Sequence, residues 1–292
     1  MTLRPRRSVL YMPGANARAL EKAKQLPADA LILDLEDSVA PEAKATARAQ
    51  VTKAVKDGGY GKRELVIRIN TLDTVWGADD LAAAAAVGPD GILVPKVSGP
   101  ADIEQVTDAL RRAGAPDKTK VWAMIETPIG VLHAAQIAAT ARQAGGRLAC
   151  FILGLNDLHK ETRAEVMPDR LSAIYWLSAC ITAARAHGID ILDSVFNNFR
   201  DAEGYRRECV QGRQLGFDGK TLIHPDQIAS ANEIFSPSAD EVAVARKIVA
   251  AFELPENKGK GVINLDGRMV ELLHAEMARR TVTIADAIAA TT

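Results

Sequence analysis

The sequence predicts a (β/α)8 barrel, and three observations support this fold class. Apolar runs of strand length alternate with helix-like segments, and the count reaches eight of each, as a barrel requires. Several of these runs end on an ionisable or amide side chain, at the strand end where barrels carry their chemistry. A doubly wound sheet would also alternate, but no Gly-x-Gly-x-x-Gly follows a strand and the sequence contains no P-loop.

The eight predicted strands are short and mostly uncharged, which is typical of parallel strands buried on both faces. In chain order they are Ser8 to Met12, Ala30 to Leu35, Leu65 to Ile69, Gly91 to Val94, Val121 to Ile125, Cys150 to about Leu153, Ile189 to Leu192, and Lys220 to Ile223. The fifth strand is followed at once by the carboxylate of Glu126, and Thr127-Pro128 then ends the extended run.

Segments with helical signals follow the strands, and seven of them can be placed on named residues. The predicted helices are Asn16 to Leu26, one from about Pro41, Gly77 to Val87, Ala101 to Arg112, one from near Ile129, one ending at His187, and Asp201 to Leu215. Pro41 suits the first turn of a helix, and Gly114 suits the position just past the end of one. Between Asp157 and about Pro168 we expect a longer charged insert.

The C-terminal part does not belong to the eight-fold alternation. A glycine- and lysine-rich link, Asn257 to Gly261, precedes two short strands, Val262 to Leu265 and Arg268 to Val270, and a helix from about Glu271. The strands form a predicted hairpin, because Asp266-Gly267 suits a tight two-residue turn. We therefore divide the chain into a barrel, residues 1–254, and an arm, residues 255–292, that covers its own barrel or a neighbouring subunit.

Composition narrows the class of protein. Hydrophobic residues make up 48% of the chain, charged residues 25%, and the net charge is −1, so nothing favours nucleic acid or an anionic membrane as a partner. The apolar run near the N-terminus is too short for a signal peptide, and no run approaches the length of a membrane span. Three widely spaced cysteines, Cys150, Cys180 and Cys209, indicate reduced thiols and a cytoplasmic protein.

Two carboxylates at neighbouring strand ends are candidate metal ligands. Glu126 follows the fifth strand and Asp157 follows the sixth. Buried acids are rare unless they are paired or bound to a metal, and two of them could hold one hard cation. The structural alternative is that each acid caps the helix that follows it.

A second acidic cluster lies at the end of the second strand. Three acids lie close together there, Asp34, Glu36 and Asp37. Their mutual repulsion is unfavourable unless a nearby cation neutralises it. Arg68, inside the apolar third strand, could supply that positive charge, either at a functional site or in a purely structural Arg–Asp pair.

Lysine and histidine residues raise further alternatives. A desolvated lysine at a strand end would suit a Schiff-base aldolase. We disfavour this chemistry, because Lys220 begins its strand and the sequence around Lys96 shows no apolar pocket. Of the five histidines, only His224 stands at a strand end.

These residues match the motifs of a known family. The segments are Arg7 to Gly14, Leu33 to Ser38, Ile67 to Asn70, Pro95-Lys96, Glu126 to Pro128, Gly154 to Leu158, and Gly219 to Pro225. Together they resemble the citrate lyase β-subunit-like CoA-ester lyases of the HpcH/HpaI aldolase family, which include malyl-CoA lyases, citramalyl-CoA lyases and (3S)-malyl-CoA thioesterases. The resemblance covers nearly the whole chain and implies a TIM-like barrel.

The resemblance also implies roles for individual residues. Mg²⁺ would be bound by Glu126 and Asp157, with Glu36 and Asp37 near its waters, and this suits a cation that takes one or two carboxylates. Arg68 would contact the substrate carboxylate or the thioester enolate. The residues implied to face coenzyme A are Arg18, Pro95, Lys96, Ile223, His224 and Pro225.

The implied activity is Mg²⁺-dependent cleavage of a 3-hydroxyacyl-CoA, such as malyl-CoA or citramalyl-CoA, into a 2-oxo acid and an acyl-CoA. The family's lyases take a catalytic aspartate from a neighbour's C-terminal arm, which implies a homotrimer or a hexamer. Here Glu271 stands at that place, in Gly267-Arg-Met-Val-Glu271, so a thioesterase that hydrolyses malyl-CoA is the close alternative. A catalytically silent CoA-ester-binding subunit is the alternative from another class.

Overall fold

A closed barrel of eight parallel strands, in the order β1 to β8, forms the centre of the computed structural model, which describes residues 4–291. The (β/α)8 prediction is therefore confirmed. The barrel strands are β1 (Ser8–Pro13), β2 (Ala30–Asp34), β3 (Glu64–Arg68), β4 (Gly91–Val94), β5 (Lys120–Ile125), β6 (Leu148–Leu153), β7 (Asp190–Asp193) and β8 (Gly219–Leu222).

Helices follow the barrel strands in turn. They are α1 (Ala17–Ala23), α2 (Lys44–Asp57), α3 (Gly77–Val87), α4 (Pro100–Arg112), α5 (Pro128–Leu132), α6 (Ala134–Ala139), α7 (Leu155–Thr162), α8 (Ile174–His187), α9 (Ala202–Leu215) and α10 (Ile228–Ile234). No helix within residues 4–291 is long and apolar enough to cross a membrane.

Two of these segments differ from the prediction. The helix expected near Ile129 is two short helices, α5 and α6, separated at His133. The charged insert expected after Asp157 begins as a helix, because α7 starts directly after Gly154 at the end of β6. Asp157 therefore lies in the first turn of α7 rather than on a strand.

Alternation along the strands gives the barrel an apolar interior with a polar upper layer. Buried side chains that include Ile32, Val66 and Trp122 pack together in the core. Because side chains two residues apart share a face of a strand, the positions directly above them point inward as well. Those positions hold Asp34 and Arg68, and the next inward position of β5 after Met124 is Glu126.

A buried ion cluster lies on the outer side of the barrel, at β7 and β8. Asp193 and Lys220 are register partners on β7 and β8, and both are fully buried. Lys220 Nζ lies 3.2 Å from Asp193 and 2.6 Å from Glu208 on α9. Arg170 Nη1 lies 2.7 Å from Asp193 as well. Burial would raise the pKa of Asp193, but the charges of Lys220 and Arg170 hold that pKa below its usual range.

The chain divides into two compact units, and the second contains residues 233–291 together with residues 4–5. Its elements are α11 (Ala239–Glu253), β9 (Val262–Leu265), β10 (Arg268–Glu271) and α12 (Leu272–Thr291). The division falls before the 254/255 boundary predicted from the sequence, because Phe252 at the end of α11 shares an apolar cluster with Ile263 and Val270. The hairpin turn has positive φ at both Asp266 and Gly267, as an Asp-Gly tight turn requires.

Candidate active site

The carboxyl group of Glu126 is the most constrained acid at the upper end of the barrel. Its side chain is fully buried, and its Oε1 accepts a 2.8 Å hydrogen bond from the backbone N–H of Lys96. Its Oε2 is buried and has no hydrogen-bond partner in the part of the chain that the structure describes. Burial raises the pKa of Glu126 to about 8, and the nearby charge of Glu36 adds to the shift. A bound cation would supply the missing partner of Oε2 and favour the ionised carboxylate.

Asp157 lies close enough to Glu126 for its charge to contribute to that raised pKa. Its side chain is about one-quarter exposed, and Lys160 Nζ lies 4.0 Å away. Neither acid caps a helix. Thr127 caps α5 through its side chain, and Gly154 is the N-cap of α7. The carboxylates are therefore not used for the structural role that the sequence left open.

A Mg²⁺ ion fits this donor set. Within residues 4–291, no group of three or more His, Cys, Asp or Glu side chains is arranged to hold a metal ion. Mg²⁺ keeps several waters and is commonly held by one or two carboxylates together with substrate oxygens, so a pair suffices. The unpartnered oxygen of Glu126 and the partly exposed side chain of Asp157 agree with that coordination pattern.

Arg68 is the centre of the acidic cluster on β2. Its Nε and Nη2 bind the two carboxylate oxygens of Asp34 at 2.6 and 2.7 Å. Its Nη1 lies 2.7 Å from Glu36 and 3.3 Å from Asp37. The two parallel N–H donors of the guanidinium, Nε and Nη2, are thus occupied by Asp34. Only Nη1 faces the acids that border the opening. Burial would raise the pKa of Asp34, but the charge and hydrogen bonds of Arg68 hold that pKa below its usual range.

Tyr11 and Met124 form the floor of the site, and sequence reasoning missed both. The guanidinium of Arg68 lies 4.9 Å from the centre of the Tyr11 ring, a cation–π contact. The Tyr11 hydroxyl lies 3.8 Å from the Met124 sulfur, which is a weak acceptor. Both residues lie in apolar strands and look like core residues in the sequence. Met124 could have been predicted from the alternation of side chains along β5, since it lies two residues before Glu126 and therefore on the same face.

Gly154 begins one of the motif segments, but no role at the site was predicted for it from the sequence. A Cβ at this position would lie 2.5 Å from the Cβ of Glu126 and 2.7 Å from its Oε2. Only glycine therefore lets the end of β6 approach the buried carboxyl group this closely. Nearby, Asn156 and Asn197 are joined by side-chain hydrogen bonds of 2.8 and 3.2 Å, which link the start of α7 to the loop after β7.

The lysines are placed in two different environments. Lys96 Nζ forms a 2.8 Å ion pair with Glu36 and borders the opening. Lys220 contacts Glu208 on α9, so its ammonium lies between the barrel and the helices. Neither lysine is a free amine in an apolar pocket, and this supports our preference against Schiff-base chemistry.

Residues implied to face coenzyme A lie at the same end of the barrel. Arg18 is exposed in the first turn of α1, directly after β1. Ile223 is 41% exposed directly after β8. The ring of His224 stacks on Phe199 with a centroid distance of 4.5 Å. Phe199 was not predicted, because nothing in the sequence links the β7 loop to the β8 loop.

The remaining predicted residues occupy three places. Pro95 is buried at the end of β4, and Pro225 is partly exposed in the turn after His224. Glu271 ends β10 in the second unit, is partly buried, and donates its backbone N–H to His274 Nδ1 at 3.0 Å.

Comparison with known proteins gives three consistent similarities. The model of the family described as HpcH/HpaI aldolase/citrate lyase matches residues 7–225. A (3S)-malyl-CoA thioesterase of Cereibacter sphaeroides is 49% identical over 286 residues, covering 98% of this chain and 96% of that protein. The citrate lyase subunit beta of Escherichia coli K12 is 37% identical over 273 residues, covering 92% of this chain and 89% of that protein.

A solved structure extends the similarity to three dimensions. The protein CitE from Mycobacterium tuberculosis, in complex with magnesium, acetoacetate and coenzyme A, superposes with a TM-score of 0.73 at 29% sequence identity. The superposition covers 96% of this chain and 99% of that chain.

Proposed function

Since this chain belongs to the HpcH/HpaI aldolase/citrate lyase family, we propose that it hydrolyses the thioester of a malyl-CoA-like substrate at a Mg²⁺ site. The observation that carries the proposal is the buried, unpartnered Oε2 of Glu126 beside Asp157. The choice of hydrolysis is supported by relatives named (3S)-malyl-CoA thioesterase, which are 49–50% identical over 286 residues. They favour what the sequence left as an alternative over our first expectation of a lyase.

In this proposal Glu126 and Asp157 hold the cation. When bound, Mg²⁺ would act as a Lewis acid toward oxygens of the hydroxyacyl group. Arg68 would place positive charge on the same side, through the Nη1 that lies toward Glu36 and Asp37. Tyr11 and Met124 close the bottom of the site and exclude water from beneath the acyl group.

Hydrolysis also requires a base that activates water. A C–O bond forms, the C–S bond breaks, and the thiolate of CoA takes up a proton. We propose that Glu271, from the arm of a neighbouring subunit, takes the proton from the attacking water. The chain would then be a homo-oligomer, a trimer or a hexamer. The rim residues Arg18, Ile223 and His224 would face coenzyme A, as the resemblance implies.

The second candidate function is C–C cleavage on the same site. It is favoured by the similarity to the citrate lyase subunit beta and by the acidic site around Arg68. In this reaction the hydroxyl proton of a 3-hydroxyacyl-CoA is removed and the C–C bond breaks to give a 2-oxo acid and the enolate of an acyl-CoA. The enolate carbon then takes up a proton and becomes the acyl-CoA.

Product analysis tests the two reactions against each other and against a silent binder. The purified protein is incubated with Mg²⁺ and either malyl-CoA or citramalyl-CoA, and the release of free thiol and of 2-oxo acid is measured separately. We expect free CoA and malate in equal amounts, without glyoxylate. Formation of glyoxylate with acetyl-CoA would establish the lyase instead. If neither malyl-CoA nor citramalyl-CoA is turned over, the remaining function is that of a catalytically silent CoA-ester-binding subunit.

The substitution Arg68→Lys tests whether Arg68 acts at the site. Lysine keeps the charge but cannot bind Asp34 with two N–H groups and still reach Glu36. We expect the turnover rate to fall about tenfold or more, because the planar fork is lost. An unchanged rate in a stably folded variant would assign Arg68 a structural pairing role only.

A further inference from the structure

The backbone at Lys96 is unusual for its residue type. Its φ is 52°, in the left-handed region that non-glycine residues seldom occupy. A residue held there costs about 1–2 kcal/mol, and such outliers persist only where the surroundings enforce them. At this position the conformation directs the backbone N–H of Lys96 to Glu126 Oε1, 2.8 Å away.

The neighbouring turn is built to hold this conformation. Ser98 Oγ lies 3.1 Å from the Lys96 carbonyl oxygen and 3.2 Å from the Thr127 hydroxyl. The backbone N–H of Val97 donates to the Met124 carbonyl at 3.2 Å. Gly130 lies so close that a Cβ there would be 2.4 Å from the Val97 carbonyl oxygen. The turn after β4 is thus locked onto the turn after β5, which carries Glu126.

The side chain of Lys96 makes a second contact with an acid of the site. Its Nζ is 2.8 Å from Glu36 Oε1. One lysine therefore contacts two acids of the site, Glu126 through its backbone and Glu36 through its ammonium group. Glycine would suit the backbone conformation better, but it could not form the contact with Glu36.

We propose that Lys96 is a positioning residue that orients the metal-binding carboxylate of Glu126, through a backbone N–H held in the left-handed conformation. The N–H occupies Oε1 and leaves Oε2 as the oxygen available to a cation. The positive charge of Lys96 also offsets part of the effect of the Glu36 charge on Glu126. This inference rests on the proposed Mg²⁺ site.

A series of substitutions at position 96 tests the backbone role. Lys96→Gly, Lys96→Ala and Lys96→Val all remove the ammonium group. They differ in how readily they accept a positive φ, which glycine favours and a β-branched residue resists. Mn²⁺ binding is measured by electron paramagnetic resonance without substrate, so that the readout does not depend on turnover. Thermal unfolding is recorded in parallel.

The expected order of Mn²⁺ affinity is glycine above alanine above valine. Between glycine and valine we expect a difference of about tenfold or more, since a hydrogen bond to a charged group is lost. Equal affinities for the two variants would overturn the inference. A matched control is the pair Arg163→Gly and Arg163→Val, because Arg163 also has positive φ, 61°, but ends α7 at the end opposite Asp157. This pair should change unfolding and leave Mn²⁺ affinity within about twofold.

The same measurements separate this inference from the proposed function. If the parent protein binds no Mn²⁺, or if Glu126→Ala binds it as well as the parent, the metal site itself is wrong. If the parent binds Mn²⁺ and Glu126→Ala does not, while the Lys96 series shows no order, only the positioning role is wrong.

Discussion

Metal-dependent turnover should disappear when Glu126 is replaced by alanine, while the protein stays folded. The carboxyl group is fully buried, and its Oε2 has no hydrogen-bond partner among residues 4–291. Removing it deletes one of the two acids proposed to hold the cation, and Asp157 alone would not retain it. We expect the rate with saturating Mg²⁺ to fall to the level of the parent protein with EDTA.

A second substitution at the same position excludes a folding defect. Glu126→Gln has the shape of a protonated glutamic acid, which the pKa of about 8 indicates is the form favoured at neutral pH without a cation. This variant should unfold at a temperature no lower than the parent and should still lack metal-dependent turnover. Full activity of Glu126→Ala in the presence of EDTA would contradict the Mg²⁺ site.

The second large effect is expected at Glu271. We expect Glu271→Ala to bind CoA esters nearly as well as the parent but to turn over about 10² times more slowly, the size of a lost general base. Binding of a non-hydrolysable CoA ester and the turnover rate are measured separately. Glu276→Ala is the matched control, because Glu276 is an exposed acid on α12 of the same unit. It should leave both quantities unchanged.

Mixing two inactive variants tests whether the arm acts between subunits. Glu271→Ala subunits supply an intact barrel, and Glu126→Ala subunits supply an intact arm. Mixed oligomers should regain part of the parent activity if each site is assembled from two chains. A fully active monomer would rule out this arrangement, and normal turnover by Glu271→Ala would remove the residue from the mechanism.

Much of the fold could be predicted from sequence because local rules govern its repeating parts. The buried strands are apolar on both faces, so their composition marked them, and α3 and β4 have the bounds that were expected. The Asp266-Gly267 turn is also a local signal. The sequence did not predict that Asp157 lies in the first turn of a helix. The reason is that α7 follows β6 without a connecting loop and begins at a glycine N-cap, which has no capping side chain.

The acids of the site were found because buried charge is rare in an apolar strand. Their partners were harder to predict, since pairing depends on which strands become neighbours. Tyr11 and Met124 have side chains that suit a core, and only their height in the barrel makes them part of the site. The left-handed backbone of Lys96 had no signal at all, because lysine has no preference for positive φ.

Evolutionary change in this sequence is constrained by the buried ion cluster, which consists of Arg170, Asp193, Glu208 and Lys220. Two positive and two negative charges balance there, and their side chains are at most 14% exposed. Any single replacement that removes one charge leaves its partner uncompensated, at a cost of about 3–5 kcal/mol. Stepwise change at these four positions must therefore pass through a poorly stable intermediate. Descendants of this chain should either keep the set whole or exchange charged partners together.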